Sequence, residues 1–268
     1  MTWGIHTVYI PRENIKYLEE WLQYHVLLGA EYFYLYDNTG TETTKLGNSL
    51  SSNGKNKYGI QFDFSLADIQ IEEMESEIIK KYPVTKVKWQ PKEDGRIVHG
   101  HVAASDHFSE TANVDWCAFI DIDEFLCSPY EINELLKGQA AVLILQKKFE
   151  DRHSYSTALE ITKTFSINTR RWGRKLIINM KYYVKGGETI HSLKVRSSSG
   201  PVLQDIGDLR FNHYNHNRRG HDWLLEHYAL LDNSWHPVPF EDVFTERCTL
   251  LRDLSMQIDY TRFERLIP

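Results

Sequence analysis

The sequence has few of the features that mark secreted, membrane-spanning or nucleic-acid-binding proteins. Its three cysteines, Cys117, Cys127 and Cys248, are an odd number without metal-ligand spacing, which argues against a disulfide framework and favours a reducing compartment. No apolar run approaches the length of a membrane span, and the first residues lack the layout of a signal peptide. The net charge of -6 provides no long-range attraction for nucleic acid.

The composition is typical of one α/β enzyme-sized domain. The 268 residues are 41% hydrophobic, enough for a substantial core, and include 7 Trp, 15 Tyr and 12 Phe. This aromatic content suits ring stacking or dense packing. Basic residues cluster at 170–175 and again at Arg218 and Arg219. On an acidic protein, such patches suit a phosphate-bearing small ligand better than a duplex.

The first half of the chain alternates strand and helix patterns. Residues 3–10 are β-prone and precede a helix that we expect to begin near Asn14 and to end at Gly29. Residues 32–36 form a short aromatic strand that ends in a turn signal. Gly, Asn, Ser and Thr over residues 38–59 predict a mobile loop.

A helix over 66–81, a strand over 84–89 and a helix over 95–112 are expected next. The short apolar run at 116–120 is typical of a strand buried on both faces. Repeated βα units of this kind predict an α/β fold with a mostly parallel central sheet. Shorter strands with basic turns are expected after residue 140, followed by helices near 219–231 and 240–264.

Asp121 and Asp123 come directly after the apolar run. Residues two apart in an extended chain face the same side, and ligands of open α/β sheets bind beyond the carboxyl ends of the strands. Two carboxylates there can hold a hard divalent ion that also bridges two phosphates. A solvated turn is the alternative, because 37 acidic residues produce several Asp-x-Asp patterns by chance. The position after a buried strand favours ligation.

Two polar clusters lie elsewhere. Histidines and Arg218 and Arg219 crowd into residues 211–219, where they could serve a metal and a phosphate, or could decorate a surface strand. Asp37 and Asn38 end the second strand, where they could meet a base or a ribose, although Asp-Asn is usually a turn former.

Three further positions carry titratable or thiol groups. Asp151 follows an apolar strand at 141–145 and is the candidate general base for an acceptor hydroxyl, unless its segment is a solvated loop. His101 is expected near the ligand and His99 to pack, because this helical spacing turns the two rings to different faces. Cys117 is most simply a core residue.

Taken together, these motifs resemble glycosyltransferase family 92 and its bacterial and viral relatives within the GT-A superfamily, which also holds the family 2-like enzymes. The order and spacing agree over roughly residues 5–225. The segments that carry the resemblance are 17–25, 28–29, 33–38, 116–126 (WCAFIDIDEFL) and Arg210–Tyr214.

The resemblance implies a GT-A fold, a UDP-linked sugar donor, inversion at the anomeric centre and, in several members, galactose transfer. It also implies a bound Mn2+ (or Mg2+). Asp121 and Asp123 match the family's metal and ribose-phosphate motif, and His213 matches its third metal ligand. Asp37 matches the acid that contacts uridine, and Lys175 matches a basic residue ahead of a strand at 175–178.

Three segments depart from the family pattern. Residues 12–14 (Arg-Glu-Asn) replace a Lys-Asn-Glu-like turn, residues 150–153 replace a Gly- and Ser-rich segment, and residues 215–219 replace a Lys-Ser pair. All three fall where the sugar and the acceptor are expected, so they bear on substrate choice more than on fold.

We therefore expect one glycosyltransferase domain over residues 1–268. Residues 1–125 would bind the nucleotide sugar, and residues 126–268, with the C-terminal helices, would form the acceptor side. The expected partners are a nucleotide-sugar donor and a glycan or glycoconjugate, with no nucleic acid. Peripheral membrane contact stays open. A cytoplasmic location is expected, or a soluble catalytic domain trimmed of an anchor. The alternatives are a metal-dependent phosphoesterase and a non-catalytic module that binds nucleotide sugars or glycans.

Overall fold

The computed structural model describes most of the first half of the chain and selected segments of the second. The described residues are 1–41, 68–128, 131–149, 166–167, 174–196, 202–204, 209–214 and 237–238. Most of the predicted loop at 38–59 and both predicted C-terminal helices lie outside these residues. None of the helices in the described ranges is long and apolar enough to cross a membrane.

The elements follow one another in the order that the first-half pattern predicts. The helices are α1 (Pro11–Leu27), α2 (Asp68–Ile79), α3 (His101–Thr111) and α4 (Ile132–Leu136), and a 3-10 turn spans Met180–Tyr182. The strands up to α4 are β1 (Trp3–Tyr9), β2 (Tyr32–Asp37), β3 (Val84–Lys88), β4 (Lys92–Glu93), β5 (Arg96–Ile97), β6 (Trp116–Phe119) and β7 (Glu124–Cys127). The later strands are β8 (Ala141–Phe149), β9 (Ser166–Ile167), β10 (Arg174–Asn179), β11 (Tyr183–Val184), β12 (Lys194–Val195), β13 (Val202–Gln204), β14 (Arg210–Tyr214) and β15 (Pro237–Val238).

The central sheet has the strand order β3-β2-β1-β6-β10-β8, continued by β9 and β15. β1 is parallel to both β2 and β6, and β2 is parallel to β3. β10 runs antiparallel between β6 and β8, and the parallel strands β13 and β14 both pair with β8. The fold class expected from the sequence, an α/β fold with a mostly parallel central sheet, is confirmed.

Both faces of the sheet are covered, as continuous apolar strands require. On one face, Ile5 and Phe33 pack with Leu18 and Trp21 of α1. On the other, Tyr36 and Cys117 pack with Phe108 of α3. All four residues of β6 are buried, which confirms the prediction of a strand buried on both faces and of a core position for Cys117.

Helix α1 begins three residues earlier than Asn14, the predicted first residue. Pro11 occupies its first turn, where the missing N–H of proline costs no hydrogen bond and its fixed φ already suits a helix. Asn14 acts from inside this turn, because its Oδ1 accepts a hydrogen bond from the Ile10 N–H at 3.1 Å. The predicted end is confirmed, since Gly29, with φ of +99°, follows the C-cap residue Leu28.

Helix α3 begins at His101 and not at residue 95. The intervening residues form the hairpin of β4 and β5, whose two central residues, Asp94 and Gly95, both have positive φ. This is the Asp-Gly turn that suits two-residue hairpins, a signal that the helical pattern obscured. Gly100 then adopts φ of +55°, which ends any helical continuation, and a Cβ there would lie 2.9 Å from Pro91 Cγ.

Candidate functional site

A cleft opens beyond the carboxyl ends of β1 and β6. Val8, Tyr9 and Ile10 form one wall, and Asp121 and Asp123 form the opposite one. The strands that follow β1, first β2 and then β3, lie on one side of it, and the later parallel strand β6 lies on its other side. The order of the parallel strands therefore reverses between β1 and β6. Such a switch point is where open α/β sheets bind their ligands. The cleft volume of about 150 Å³ suits a group as small as a phosphate.

Asp121 and Asp123 lie in a turn and not in an extended strand. The Glu124 N–H donates to the Asp121 carbonyl at 3.0 Å, and Ile122 between the two aspartates is buried. The two-residue alternation used to predict their common side therefore does not apply. Both still line the cleft, but their carboxylates have different partners.

Asp121 contacts a buried lysine from β10. Lys175 is 1% exposed, and its Nζ lies 2.7 Å from Asp121 Oδ2 and 3.2 Å from Glu124 Oε2. Glu124 Oε2 also accepts the Asp121 N–H at 2.9 Å. Since β10 pairs with β6, the sheet itself places this ammonium beneath the turn. Lys175 was predicted to bind the cofactor; here it contacts carboxylates, so direct cofactor contact stays a prediction.

These three groups shift one another's protonation. Burial alone would raise the pKa of Asp121, but the Lys175 ammonium lowers it well below the usual range. Burial likewise opposes the charge of Lys175, yet Asp121 and Glu124 raise its pKa. Desolvation raises the pKa of Glu124 to about 8, against the attraction of Lys175 and with reinforcement from Asp121 and Asp123. The stable arrangement is an ionised Asp121 paired with a charged Lys175.

Asp123 meets the histidine that the resemblance assigns to the metal. His213 Nε2 lies 3.2 Å from Asp123 Oδ2, although the two residues are 90 positions apart. β14 carries His213 and pairs antiparallel with β7, with His213 opposite Glu124. The structure therefore brings together three of the predicted metal-site residues, Asp121, Asp123 and His213, in one cleft.

Asp123 and His213 offer a carboxylate oxygen and an imidazole nitrogen 3.2 Å apart, and both kinds of atom could serve as ligands of a divalent ion. In the described part of the chain, no three His, Cys, Asp or Glu side chains are grouped so as to hold a metal by themselves. An ion here would need further oxygens, as Mg2+ takes from substrate phosphates and water.

His99 and His101 both line the cleft. Their rings stack with centroids 4.5 Å apart and planes 17° from parallel. His99 was predicted to pack because a helix was expected through both residues, but α3 begins only at His101. Gly100 turns the chain between them, so the two rings share one side. His101 lines the cleft, and its contact with a ligand stays a prediction.

Asp37 and Asn38 serve local structure at the end of β2. Asp37 pairs with Lys86 at 3.0 Å and accepts hydrogen bonds from Thr39. Asn38 is 0% exposed, and its amide donates to the carbonyls of Trp89 and Val98. Neither residue belongs to the cleft lining, so their roles in nucleotide binding stay predictions. Asp151, Arg218 and Arg219 lie outside the described residues.

Two sets of residues around the site have no role in the sequence prediction. Glu13 and Asn14 line the cleft; segment 12–14 was expected near the sugar or the acceptor, but only as a departure from the family pattern. Trp21, Tyr24 and His25 of α1 bind the backbone of β7 directly after the acidic turn. No local sequence pattern predicts the contacts of these three side chains with the β7 backbone.

Comparison with known proteins gives distant structural similarity. No protein-family model matches the sequence, and no curated protein matches it either. The galactosyltransferase LgtC, solved with donor and acceptor sugar analogs, is 11% identical over 66% of this chain, with a TM-score of 0.31. This chain spans 58% of the length of that enzyme.

Two other solved structures cover more of the chain. Glucosyl-3-phosphoglycerate synthase from Mycobacterium tuberculosis, in complex with Mn2+, UDP and glucosyl-3-phosphoglycerate, is 11% identical over 81% of this chain and 71% of its own, with a TM-score of 0.35. UDP-glucose pyrophosphorylase with UDP-glucose is 13% identical over 96% of this chain and 88% of its own, with a TM-score of 0.30. Similarity at this level does not assign a function, which must come from the site.

Proposed function

We propose that this chain is a metal-dependent, inverting glycosyltransferase of the GT-A type that moves a sugar from a UDP-linked donor to a glycan hydroxyl. The observation that carries the proposal is the meeting of Asp121, Asp123 and His213 in a cleft at the switch point between β1 and β6. A nucleotide diphosphate with a divalent ion is the ligand that such a place and such side chains suit. The motifs that resemble family 92 support the same conclusion, and this resemblance includes galactose among the expected donor sugars.

Asp123 and His213 are the residues that would hold the ion, Mn2+ or Mg2+. Bound there, the ion would neutralise the diphosphate leaving group. Their ligand chemistry supports this assignment, and so does their common place in the cleft. Asp121 is 36% exposed and stays ionised beside Lys175, so it can accept a hydrogen bond from a ribose hydroxyl or complete the ion's ligands.

Acceptor activation is assigned to Asp151 by position along the chain. An inverting transfer needs a carboxylate that takes the acceptor proton on the side opposite the leaving diphosphate. Asp151 follows β8, the strand that also pairs with β14 and so lies next to His213 in the sheet order. Arg218 and Arg219, which follow β14, would add positive charge at the diphosphate.

Ligand-dependent melting tests this function directly. UDP with Mn2+ should raise the melting temperature more than GDP or ADP with Mn2+, because a ligand that binds only the folded state stabilises it by mass action. EDTA should remove the effect, and Asp123→Ala should lose it while melting near the parent temperature. A larger shift with GDP would contradict the assigned donor class. No shift with any nucleotide would contradict the proposal.

Turnover separates the proposal from its alternatives. Incubation with UDP-galactose, other UDP-sugars and glycan acceptors should yield a product of inverted anomeric configuration, identified by NMR. Asp151→Asn should keep the UDP-dependent melting shift but slow transfer by on the order of a hundredfold. Hydrolysis of simple phosphodiesters with metal and without a sugar donor would instead indicate a phosphoesterase. Binding without turnover would indicate a non-catalytic module.

A further inference from the structure

A buried glutamine contacts the nitrogen of His213 that faces away from Asp123. Gln146 lies in β8 and is 7% exposed, and its side-chain Nε2 is in hydrogen-bond contact with His213 Nδ1. We propose that Gln146 is the partner of His213 Nδ1 in both states of the site: it donates to Nδ1 when no cation is present, and it accepts from Nδ1 when His213 binds a divalent cation through Nε2. The cation part of this inference rests on the proposed function.

The contacts of His213 define one tautomer. An amide N–H2 can only donate, so a Gln146 Nε2 that faces Nδ1 makes Nδ1 the acceptor. The imidazole proton then belongs to Nε2, which donates to Asp123 Oδ2 at 3.2 Å. In this state, the nitrogen that faces the cleft has no lone pair for a cation. Gln146, His213 and Asp123 thus lie on one chain of hydrogen bonds.

A half-turn of the glutamine amide produces the second tautomer. The rotation exchanges Nε2 and Oε1 with almost no change of shape, and the carbonyl oxygen now accepts a proton from Nδ1. The lone pair on Nε2 is then directed toward Asp123, where a cation can be shared by the two side chains. Metal-binding histidines usually donate their second ring N–H to such an acceptor, and loss of that acceptor weakens metal binding about 10- to 100-fold.

The sheet register keeps the glutamine in place for both states. β8 pairs parallel with β14, and Gln146 lies opposite Phe211. Phe211 is two residues before His213, so these two side chains project from the same face of β14. Glu124 is also near Nδ1, but its Oε1 lies 3.9 Å away, beyond hydrogen-bond distance. Glutamine suits the position because it is neutral and offers both a donor and an acceptor.

The tautomer can be measured on the metal-free protein. Two-bond 1H–15N spectra of histidine-labelled protein distinguish Nε2–H from Nδ1–H, and His213→Asn identifies the His213 signals. We expect Nε2–H in the parent and a shift to Nδ1–H when Mg2+ and UDP are added. Gln146→Glu places a second carboxylate at Nδ1, opposite that of Asp123 at Nε2, so it should show protons on both ring nitrogens without metal. Gln146→Met leaves Asp123 as the acceptor, so it should keep Nε2–H without metal and show less Nδ1–H than the parent at the same Mg2+ and UDP concentrations.

Mn2+ affinity, measured by electron paramagnetic resonance of the free ion with UDP present, tests the consequence. Gln146→Met should bind Mn2+ about 10- to 100-fold more weakly than the parent. Gln90→Met is the matched control, because the Gln90 amide donates to the Thr39 carbonyl and has no contact with His213; its Mn2+ affinity should equal that of the parent.

The outcomes separate this inference from the proposed function. If Gln146→Glu shows the same His213 protons as the metal-free parent, the contact of Gln146 with His213 is wrong, whatever the metal data show. If Gln146→Glu changes these protons as expected but the parent binds no Mn2+ with UDP, the contact stands and the proposed function and the metal role both fail. Equal Mn2+ affinity in the parent and Gln146→Met overturns the role of Gln146 in cation binding.

Discussion

Lys175 is the residue whose removal should disturb the site most. It is buried and lies against Asp121 and Glu124, so Lys175→Met leaves the ionised Asp121 carboxylate without its cation. Breaking a buried ion pair from one side costs about 3–5 kcal/mol, and we expect a loss of this size in urea unfolding at pH 7.5. Adding Asp121→Asn should recover part of it, because the uncompensated carboxylate is then removed.

Lys185→Met is the matched control for this substitution. Lys185 also pairs with a carboxylate, that of Glu110, but both side chains are more than half exposed. Exposed pairs contribute about 0–1 kcal/mol, so this variant should unfold close to the parent. Equal effects of the two lysine substitutions would contradict the structural role of Lys175.

His25 should make stability depend on pH. Its Nδ1 contacts the Trp21 carbonyl at 2.8 Å, and its Nε2 accepts the Leu126 N–H at 3.2 Å, so both nitrogens are satisfied by the neutral ring. Desolvation lowers the pKa of His25 from 6.5 to about 3. Between these values the unfolded chain binds the proton and the folded chain does not, so stability falls as pH decreases, by up to about 1.4 kcal/mol per pH unit.

Replacing the ring with a non-titrating side chain tests this dependence. His25→Leu should be less stable than the parent at pH 7.5, because two buried hydrogen bonds are lost. Its stability should nevertheless fall less steeply between pH 6.5 and 4.5 in urea unfolding followed by circular dichroism. His6 has its pKa lowered to about 3 mainly by burial and contributes the same slope to both proteins. Parallel curves for the two proteins would show that His25 titrates normally.

At the scale of elements, α1 takes the place of a strand beside β7. β14 pairs with one edge of β7, whereas Trp21 Nε1 donates to the Glu124 carbonyl at 2.8 Å and Tyr24 Oη donates to the Leu126 carbonyl at 2.5 Å. Backbone groups of alternate residues such as Glu124 and Leu126 point to the same edge of a strand. The helix therefore holds β7, and through it β14 and His213, at a defined distance from β1.

Loss of one of these hydrogen bonds should be measurable. Tyr24→Phe leaves the Leu126 carbonyl without its buried donor, and we expect a loss of about 1–2 kcal/mol in unfolding free energy. Tyr32→Phe is the control, because Tyr32 lies at the exposed start of β2, and its variant should unfold within about 0.5 kcal/mol of the parent. If Tyr24→Phe is as stable as the control, the α1–β7 contact contributes nothing.

At the scale of the molecule, the two halves of the chain share one sheet. β10, which belongs to the second half, pairs directly with β6 of the first and separates it from β8. Neither half can then complete its core without the other. We predict that residues 1–268 unfold as one cooperative unit, with coincident thermal transitions in circular dichroism and tryptophan fluorescence. Two separated transitions would contradict a single domain.

The sequence alone determined the elements whose signals are local. The apolar run before Asp121, the βα alternation and the glycine after α1 each express a preference of a few neighbouring residues, so the parallel part of the sheet and the place of Asp121 and Asp123 at a strand end were predictable. The predicted start of α3 was wrong because two local signals competed there, a helical pattern and the turn at Asp94-Gly95.

Only the tertiary structure decided which distant side chains meet. His213 reaches Asp123 because β14 pairs with β7, and Lys175 reaches Asp121 because β10 pairs with β6. Strand pairing between remote segments leaves no period in the sequence, since each strand would show the same pattern beside any neighbour. The burial of Asn38 and the contact of Gln146 with His213 have the same origin. The resemblance to a family supplied His213 in advance, but physical reasoning could assign its partners only once the sheet order was known.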